Sequence, residues 1–319
     1  MLKLDAPART SLAPASSDEH IVAMFLATYR DRSAYTTRNY RIAIRHFRGF
    51  VHPKTLGEVT WMDVESYKDT LLTGGQPNAA KKMAPASAAV YLASIRSLYR
   101  WASDPNIGLL PHNPTTPIRL PKIEVTSRSR YLTKSELGTM LGELKKQGTR
   151  NYLIGLMLAL TGLRVSELAA LEWNDFQEDV TDKFLWLIVR NGKGGKARYV
   201  KVPELLRRLL NRYRKEEGIS QASDARVFPI SVRQVDRILE KARKSCKLGK
   251  KATPHWFRHT NATLALLGGA TLQQVQESLG HTDISTTQRY LHTVEFMKKA
   301  APDYVVDSLK GVVDSREKP

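Results

Sequence analysis

At 319 residues and 42% hydrophobic, the chain is long enough to bury two modest cores. Its longest apolar stretch, Tyr152 to Leu163, is shorter than the ~20 residues a membrane span requires, and its start lacks a charged segment followed by an apolar one, so a soluble intracellular protein with no membrane partner is expected. Lys+Arg number 50 against Asp+Glu 31, a net charge of +19 and a pI near 10.0, which draws the chain to a polyanion; the single cysteine, Cys246, excludes a disulfide scaffold.

Residues 1–17, rich in Ala, Pro, Ser and Thr without periodicity, read as a disordered tail. Four helical segments are expected next. Tyr40, Ile44, Phe47 and Val51 fall on one apolar stripe, while Arg38, Arg41, Arg45 and Arg48 lie off it. Thr60 and Asp63 are spaced as a capping box opening a helix over Trp61 to Leu72. Pro85 suits a first helical turn, with Tyr91, Ile95, Leu98 and Ala102 as the buried stripe and Arg96 and Arg100 elsewhere. Two basic helices in one small bundle predict a DNA-gripping domain over residues 18–110.

Pro111, Pro114, Pro117 and Pro121 then predict an extended linker over 111–130, and a second domain over 131–319. Thr133 with Glu136 opens its first helix, carrying Leu137, Met140, Leu141 and Leu144. Lys183 to Arg190 and Ala197 to Val202 read as hairpin strands around the glycine-rich tip Asn191 to Lys196. Ser231 with Gln234 and Thr271 with Gln274 are further capping boxes, and Gly268-Gly269 and Gly280 read as helix stops. The expected fold is mainly α, with a four-helix front domain and a mostly helical second domain holding a small antiparallel sheet. Val305, Leu309 and Val312 make a short stripe in a tail from about residue 302.

Six residues carry the candidate chemistry. Arg164 precedes a short helix, Val165 to Leu171, whose N-terminus favours an anion. His255 and Arg258 stand i, i+3 on one face of a helix begun by Pro254. Lys193 sits between glycines at the hairpin tip, His281 directly follows Gly280, and Tyr290 lies nine residues further on. Together they supply a nucleophile, two guanidinium groups, an amine and two imidazoles, a set able to break and remake a phosphodiester without a metal or other cofactor.

The stretches TGLRVSEL (161–168), GKGGKAR (192–198), PHWFRHTNATLALLGGATLQQVQESLGH (254–281) and ISTTQRYLH (284–292) resemble, in order, the boxes of the tyrosine recombinase (phage integrase) family. The resemblance spans roughly residues 18–300, since the basic front is similar to that family's SAM-like core-binding domain. It implies that Tyr290 attacks the scissile phosphate to form a 3′-phosphotyrosyl link. Arg164 and Arg258 would clamp the non-bridging oxygens, His281 would donate to the same phosphate, His255 would assist proton movement at the nucleophile, and Lys193 would protonate the leaving 5′ oxygen. Lys196 lies close enough to compete for that acid role, Phe257 stands where the family more often has leucine, and Glu167 is expected to support the arginine region.

With the front domain starting near residue 18, the arm-less Xer-like or resolvase-like members are the expected subgroup. That membership implies a C-shaped clamp on double-stranded DNA, a dimer on one site and a homo-tetramer on two, strand exchange through a Holliday junction, a terminal segment docking on a neighbour, and a bacterial cytoplasmic, nucleoid- or plasmid-associated location. Two other readings compete: type IB topoisomerase-like relaxation of DNA, and a DNA-binding accessory factor without activity.

Overall fold

The computed structural model describes residues 17–30, 34–74, 82–123, 130–181, 183–190, 197–219, 224–298 and 301–313. The chain divides into two compact units, Met1–Glu124 and Val125–Pro319.

The first unit holds α1 (Asp18–Ala27), α2 (Ala34–Val51), α3 (Trp61–Thr73) and α4 (Pro85–Ala102). The α2 stripe does what its spacing demands: Ile44, Phe47 and Val51 are buried and Tyr40 packs against the same core. Burying a side chain such as Phe47 contributes roughly 1.5–3 kcal/mol. Thr60 and Asp63 form the reciprocal capping box of α3, and Pro85 occupies its first-turn position in α4, above buried Ile95, Leu98 and Ala102. Residues after α4 fold back onto this unit. Leu110 and Ile118 join its core, Arg96 donates to the Ile118 carbonyl, and a ring nitrogen of His112 lies 3.0 Å from the Val59 carbonyl.

The second unit opens with α5 (Lys134–Lys146) and α6 (Thr149–Thr161), followed by the short α7 (Val165–Ala170). Met140 and Leu144 of α5 are fully buried against α6, and half-buried Cys246 sits against Met140, its thiol in no disulfide. Three antiparallel strands follow in the order β1 (Phe176–Glu178), β2 (Leu185–Val189) and β3 (Arg198–Val202). The sequence led to a two-stranded hairpin; the third strand, β1, is only three residues long, too short to show a period. Asp179 closes the β1–β2 connection by accepting from the backbone of Lys183 and Phe184. In β3, Arg198, Val200 and Val202 face inward while Tyr199 and Lys201 face out. The expected hairpin tip, with Lys193 and Lys196, lies outside the described residues.

Next come α8 (Glu204–Glu216), α9 (Val232–Ser245), α10 (Pro254–Leu267), α11 (Leu272–Leu279), α12 (Ile284–Lys298) and α13 (Ala301–Val313). The boxes at Thr133, Ser231 and Thr271 all close as reciprocal caps. A small core of Ala262, Leu266, Val275, Leu279, Tyr290 and Val294 binds α10, α11 and α12 together. No helix among the described residues is long and apolar enough to cross a membrane.

Candidate active site

Two left-handed glycines set the floor of the site. Gly162 (φ 63°) ends α6, and Gly280 (φ 66°) ends α11. A Cβ on Gly162 would meet Leu279 at 2.6 Å, and one on Gly280 would meet Arg198 at 2.7 Å, so both positions need glycine for space as well as for conformation. Each turns its carbonyl toward a guanidinium. Arg258 donates to the Gly162 carbonyl at 2.6 Å and to the Leu279 carbonyl at 2.7 Å. Arg164 donates to the Gly280 carbonyl at 3.3 Å and to Glu167 at 2.7 Å. An arginine side chain has five N–H donors; two are engaged on each, which leaves three apiece for a ligand.

Glu167 organises the cationic side. Its carboxylate accepts the backbone N–H of Arg164 at 2.8 Å and a fork from Arg198 at 2.9 and 2.7 Å, and Arg198 also donates to the Ser278 carbonyl at 2.9 Å. Burial pulls the Glu167 carboxyl upward, but the bonds and charge of Arg198, then of Arg164, outweigh it and hold the group below its ordinary range. Arg164 and Arg198 bond this carboxylate and Arg258 feels its charge, so three guanidiniums share one carboxylate, a surplus of two positive charges. Arg258 is 4% exposed, and burial, then the neighbouring Arg164, lowers it to about 10, still charged at neutral pH. Such a surplus in a poorly solvated place is stabilised by an anion.

The space for that anion is a cavity of about 330 Å³ whose lining includes Arg164, His255, Arg258, Gly280, His281 and Thr282. His281 has a ring nitrogen 2.8 Å from the Thr287 hydroxyl; burial first, then Arg258 and Arg164, holds it neutral, at about 4. His255 is also lowered, by burial and then by Arg258 and Arg130. Tyr290 lies behind His281: the two rings are nearly parallel, at 9°, with centroids 6.3 Å apart, and His259 meets the Tyr290 ring edge-on at 5.1 Å. Only 7% exposed, Tyr290 has its phenol raised by burial, against the opposing pull of Arg258 and Arg289.

Five of the six expected residues, Arg164, His255, Arg258, His281 and Tyr290, therefore converge on one place; Lys193 is outside the described residues. Arg198 was not singled out for this site from sequence, although it left a signal: a charged residue in the inward phase of an alternating strand. His259, adjacent to the motif residue Arg258 and spaced i+4 from His255, reads from sequence as support rather than catalysis.

The front arginines divide. Arg38, Arg41, Arg45 and Arg100 are exposed. Arg48 is engaged internally, 2.6 Å from Asp18 and donating to the Lys54 carbonyl, and Arg96 holds Ile118, because side chains off the apolar stripe still reach the loops that close the bundle. Arg41, Arg45 and Arg48 line, with Asp18, a groove between α1 and α2.

Residues 130–295 match the model of the phage integrase family, and residues 23–105 match that of the phage integrase N-terminal SAM-like domain. The tyrosine recombinase XerC of Pelobacter propionicus is 32% identical over 293 residues, covering 88% of this chain and 93% of the relative. XerC of Halalkalibacterium halodurans is 27% identical over 297 residues, 85% and 91% of the two chains. Among solved structures, a lambda integrase dimer bound to a COC′ core site shares the fold, with a TM-score of 0.65 and 20% identity over 85% of this chain and 76% of that one. XerH bound to difH does so with a TM-score of 0.62 and 20% identity over 86% and 82%. The chain belongs to the phage integrase family, the tyrosine recombinases. Within it, the chain is a site-specific DNA recombinase of Xer type.

Proposed function

We propose that the cavity between α7, α10 and α11 seats the scissile phosphate of double-stranded DNA, and that Tyr290 attacks it to leave a 3′-phosphotyrosyl link. The observation that carries this reading is the excess of guanidinium over carboxylate around a cavity backed by a tyrosine. Charge on the non-bridging oxygens grows in the transition state, and Arg164 and Arg258 line the cavity with N–H donors to spare, held in place before reaction, so little reorganisation is needed as that charge develops. Glycine carbonyls and Glu167 fix those guanidiniums, which is how donors become preorganised. His281, neutral and braced by Thr287, adds a further donor.

His255 assists proton movement near the phenol, whose raised pKa requires a proton acceptor at attack. Lys193 protonates the leaving 5′ oxygen, a poor alkoxide without an acid, with Lys196 as the other candidate. The tyrosyl ester stores the bond that hydrolysis would dissipate, so religation to a second strand needs no added energy source. No step in this scheme calls on a metal.

Exposed Arg38, Arg41 and Arg45 follow the DNA backbone on this reading. Two protomers bind one site and four bring two sites together for exchange through a Holliday junction; a lambda integrase tetramer on such a junction, 20% identical, shares the fold. In α13, Val305 and Leu309 are 57% and 42% exposed, and this stripe docks on a neighbouring protomer. The reaction takes place on cytoplasmic DNA. Mapping DNA ends covalently trapped by the protein in host cells tests the reading. One recurring site, and recombination of a plasmid carrying two copies of it, are expected. Supercoil relaxation without site preference would favour the topoisomerase reading, and binding without trapped ends the accessory one.

A further inference from the structure

The buried His259 is not accounted for by the scheme above. It stands one turn beyond His255 on α10, and the two Nε2 atoms are 2.8 Å apart with the rings at 82°. A hydrogen bond at that distance needs one proton between two nitrogens, so one imidazole donates through Nε2 and the other accepts there. The other nitrogen of His259, Nδ1, is buried and has no hydrogen-bond partner among the described residues.

Those facts select one arrangement of the protons. If His255 donated, His259 would accept at Nε2 and carry its own proton on Nδ1, an N–H buried without an acceptor, the kind of group folded proteins most rarely contain. If His259 donates, its Nδ1 is a bare lone pair, and the proton that His255 must then hold on Nδ1 lies on the exposed ring that lines the cavity. A charged pair would place a cation next to Arg258 and Arg130, and burial opposes it further: His259 is held at about 3 by burial first and His255 and Arg130 after it.

We propose that His259 is a positioning residue that locks His255 in the Nδ1–H tautomer, so that His255 presents a hydrogen-bond donor, not a lone pair, to the ligand in the cavity. This rests on the reading of the cavity as a phosphate seat and sharpens it. With Nε2 occupied, His255 gains a proton there only if the shared one crosses to it from His259 Nε2, which leaves His259 to take up another proton at its buried, unpartnered Nδ1. His255 therefore joins the two arginines as a donor to the non-bridging oxygens; this replaces the proton-accepting part given to it above, and the proton of Tyr290 leaves by another route. The His259 ring also lies edge-on against Tyr290, so the residue that sets the tautomer touches the nucleophile's ring as well.

Tautomers are read directly from long-range 1H–15N spectra of the full chain labelled at histidine, free of DNA at neutral pH, with His255→Gln and His259→Gln used to assign two of the eight histidines. His255 is expected with its proton on Nδ1 and His259 with its proton on Nε2. His255 found protonated on Nε2, or either ring found cationic, overturns the proposal whatever the DNA chemistry. In His259→Phe the His255 signal should revert to the Nε2–H form, and adduct formation on a nicked suicide substrate should slow about tenfold, the worth of one hydrogen bond. His259→Gln keeps an N–H donor toward His255 and should restore both. Full speed in the Phe variant, or no recovery in Gln, counts against the coupling. Absence of any adduct with the unaltered protein would instead sink the phosphate-seat reading and leave the tautomer result standing.

Discussion

Removing the Glu167 carboxylate offers a prediction whose size follows from the structure. Arg198, 8% exposed, donates a two-pronged bond to Glu167, which is itself 5% exposed at the side chain, whereas Arg164 at 30% is partly solvated. In Glu167→Ala the main loss is a buried guanidinium left without its counter-charge, which costs about 3–5 kcal/mol. For a unit the size of Val125–Pro319, each kcal/mol moves the midpoint about 2–4 °C, so the melting transition should fall by about 6–20 °C.

Glu167→Gln keeps the shape, loses the charge and should fall between. The Glu167 carboxyl is depressed in the folded state, so its contribution is complete above its unfolded value of about 4.5 and disappears as pH falls through the lower folded value. The stability gap between the wild type and Glu167→Gln should therefore hold from pH 7 to about 5 and narrow below it. Calorimetric melts across that range, with near-UV circular dichroism to confirm native packing, supply the assay. A Glu167→Ala midpoint within a degree of wild type, or a gap that widens in acid, would refute the assigned role of the pair.

Lys193→Ala should slow cleavage of ordinary DNA by ~10²–10⁴, and a 5′-bridging phosphorothiolate, which leaves without a proton, should rescue it selectively; rescue of Lys196→Ala in its place would transfer the acid role. Replacing Arg38, Arg41 and Arg45 with Gln should flatten the plot of log affinity against log salt by about 0.9 for each DNA phosphate no longer neutralised, and an unchanged slope would make them a solvated surface. Arg48→Gln should instead lower the stability of the first unit by about 1–3 kcal/mol, since it breaks the bond to Asp18, a change read by thermal melts. Deleting the chain from Pro302 should leave binding to a single site intact and impair the joining of two sites in gel shifts; normal recombination by the truncated protein would make α13 a passive terminus.

What the sequence disclosed well was whatever is written locally. The four capping boxes, the α2 stripe and the stop at Gly280 each depend on residues within a turn or two, and each formed as spaced. The convergence of Arg164, His255, Arg258, His281 and Tyr290 came from motif order, since spacing alone does not bring residues from α7, α10 and α12 together. The pairs that hold the site were hidden for the same reason. Glu167 and Arg198 are separated by most of the sheet, and no local period reports that a strand arginine will meet a helix carboxylate. Residues 109–118 illustrate a different limit: proline-rich sequence reads as extended whether or not it is packed, and only the burial of Ile118 shows that it is. Arg48 and Arg96 looked as available as their exposed neighbours because helix faces predict exposure and not the loops that fold over them.

The most direct measurement is the identity of the protein–DNA bond. Incubating the purified chain with a nicked substrate carrying its trapped target site, digesting the adduct and sequencing the modified peptide by mass spectrometry locates the link. A single phosphodiester between Tyr290 and a DNA 3′ phosphate is predicted, absent in Tyr290→Phe although that variant binds the same DNA. Adduct on any other residue, or undiminished adduct in the Phe variant, would contradict the account.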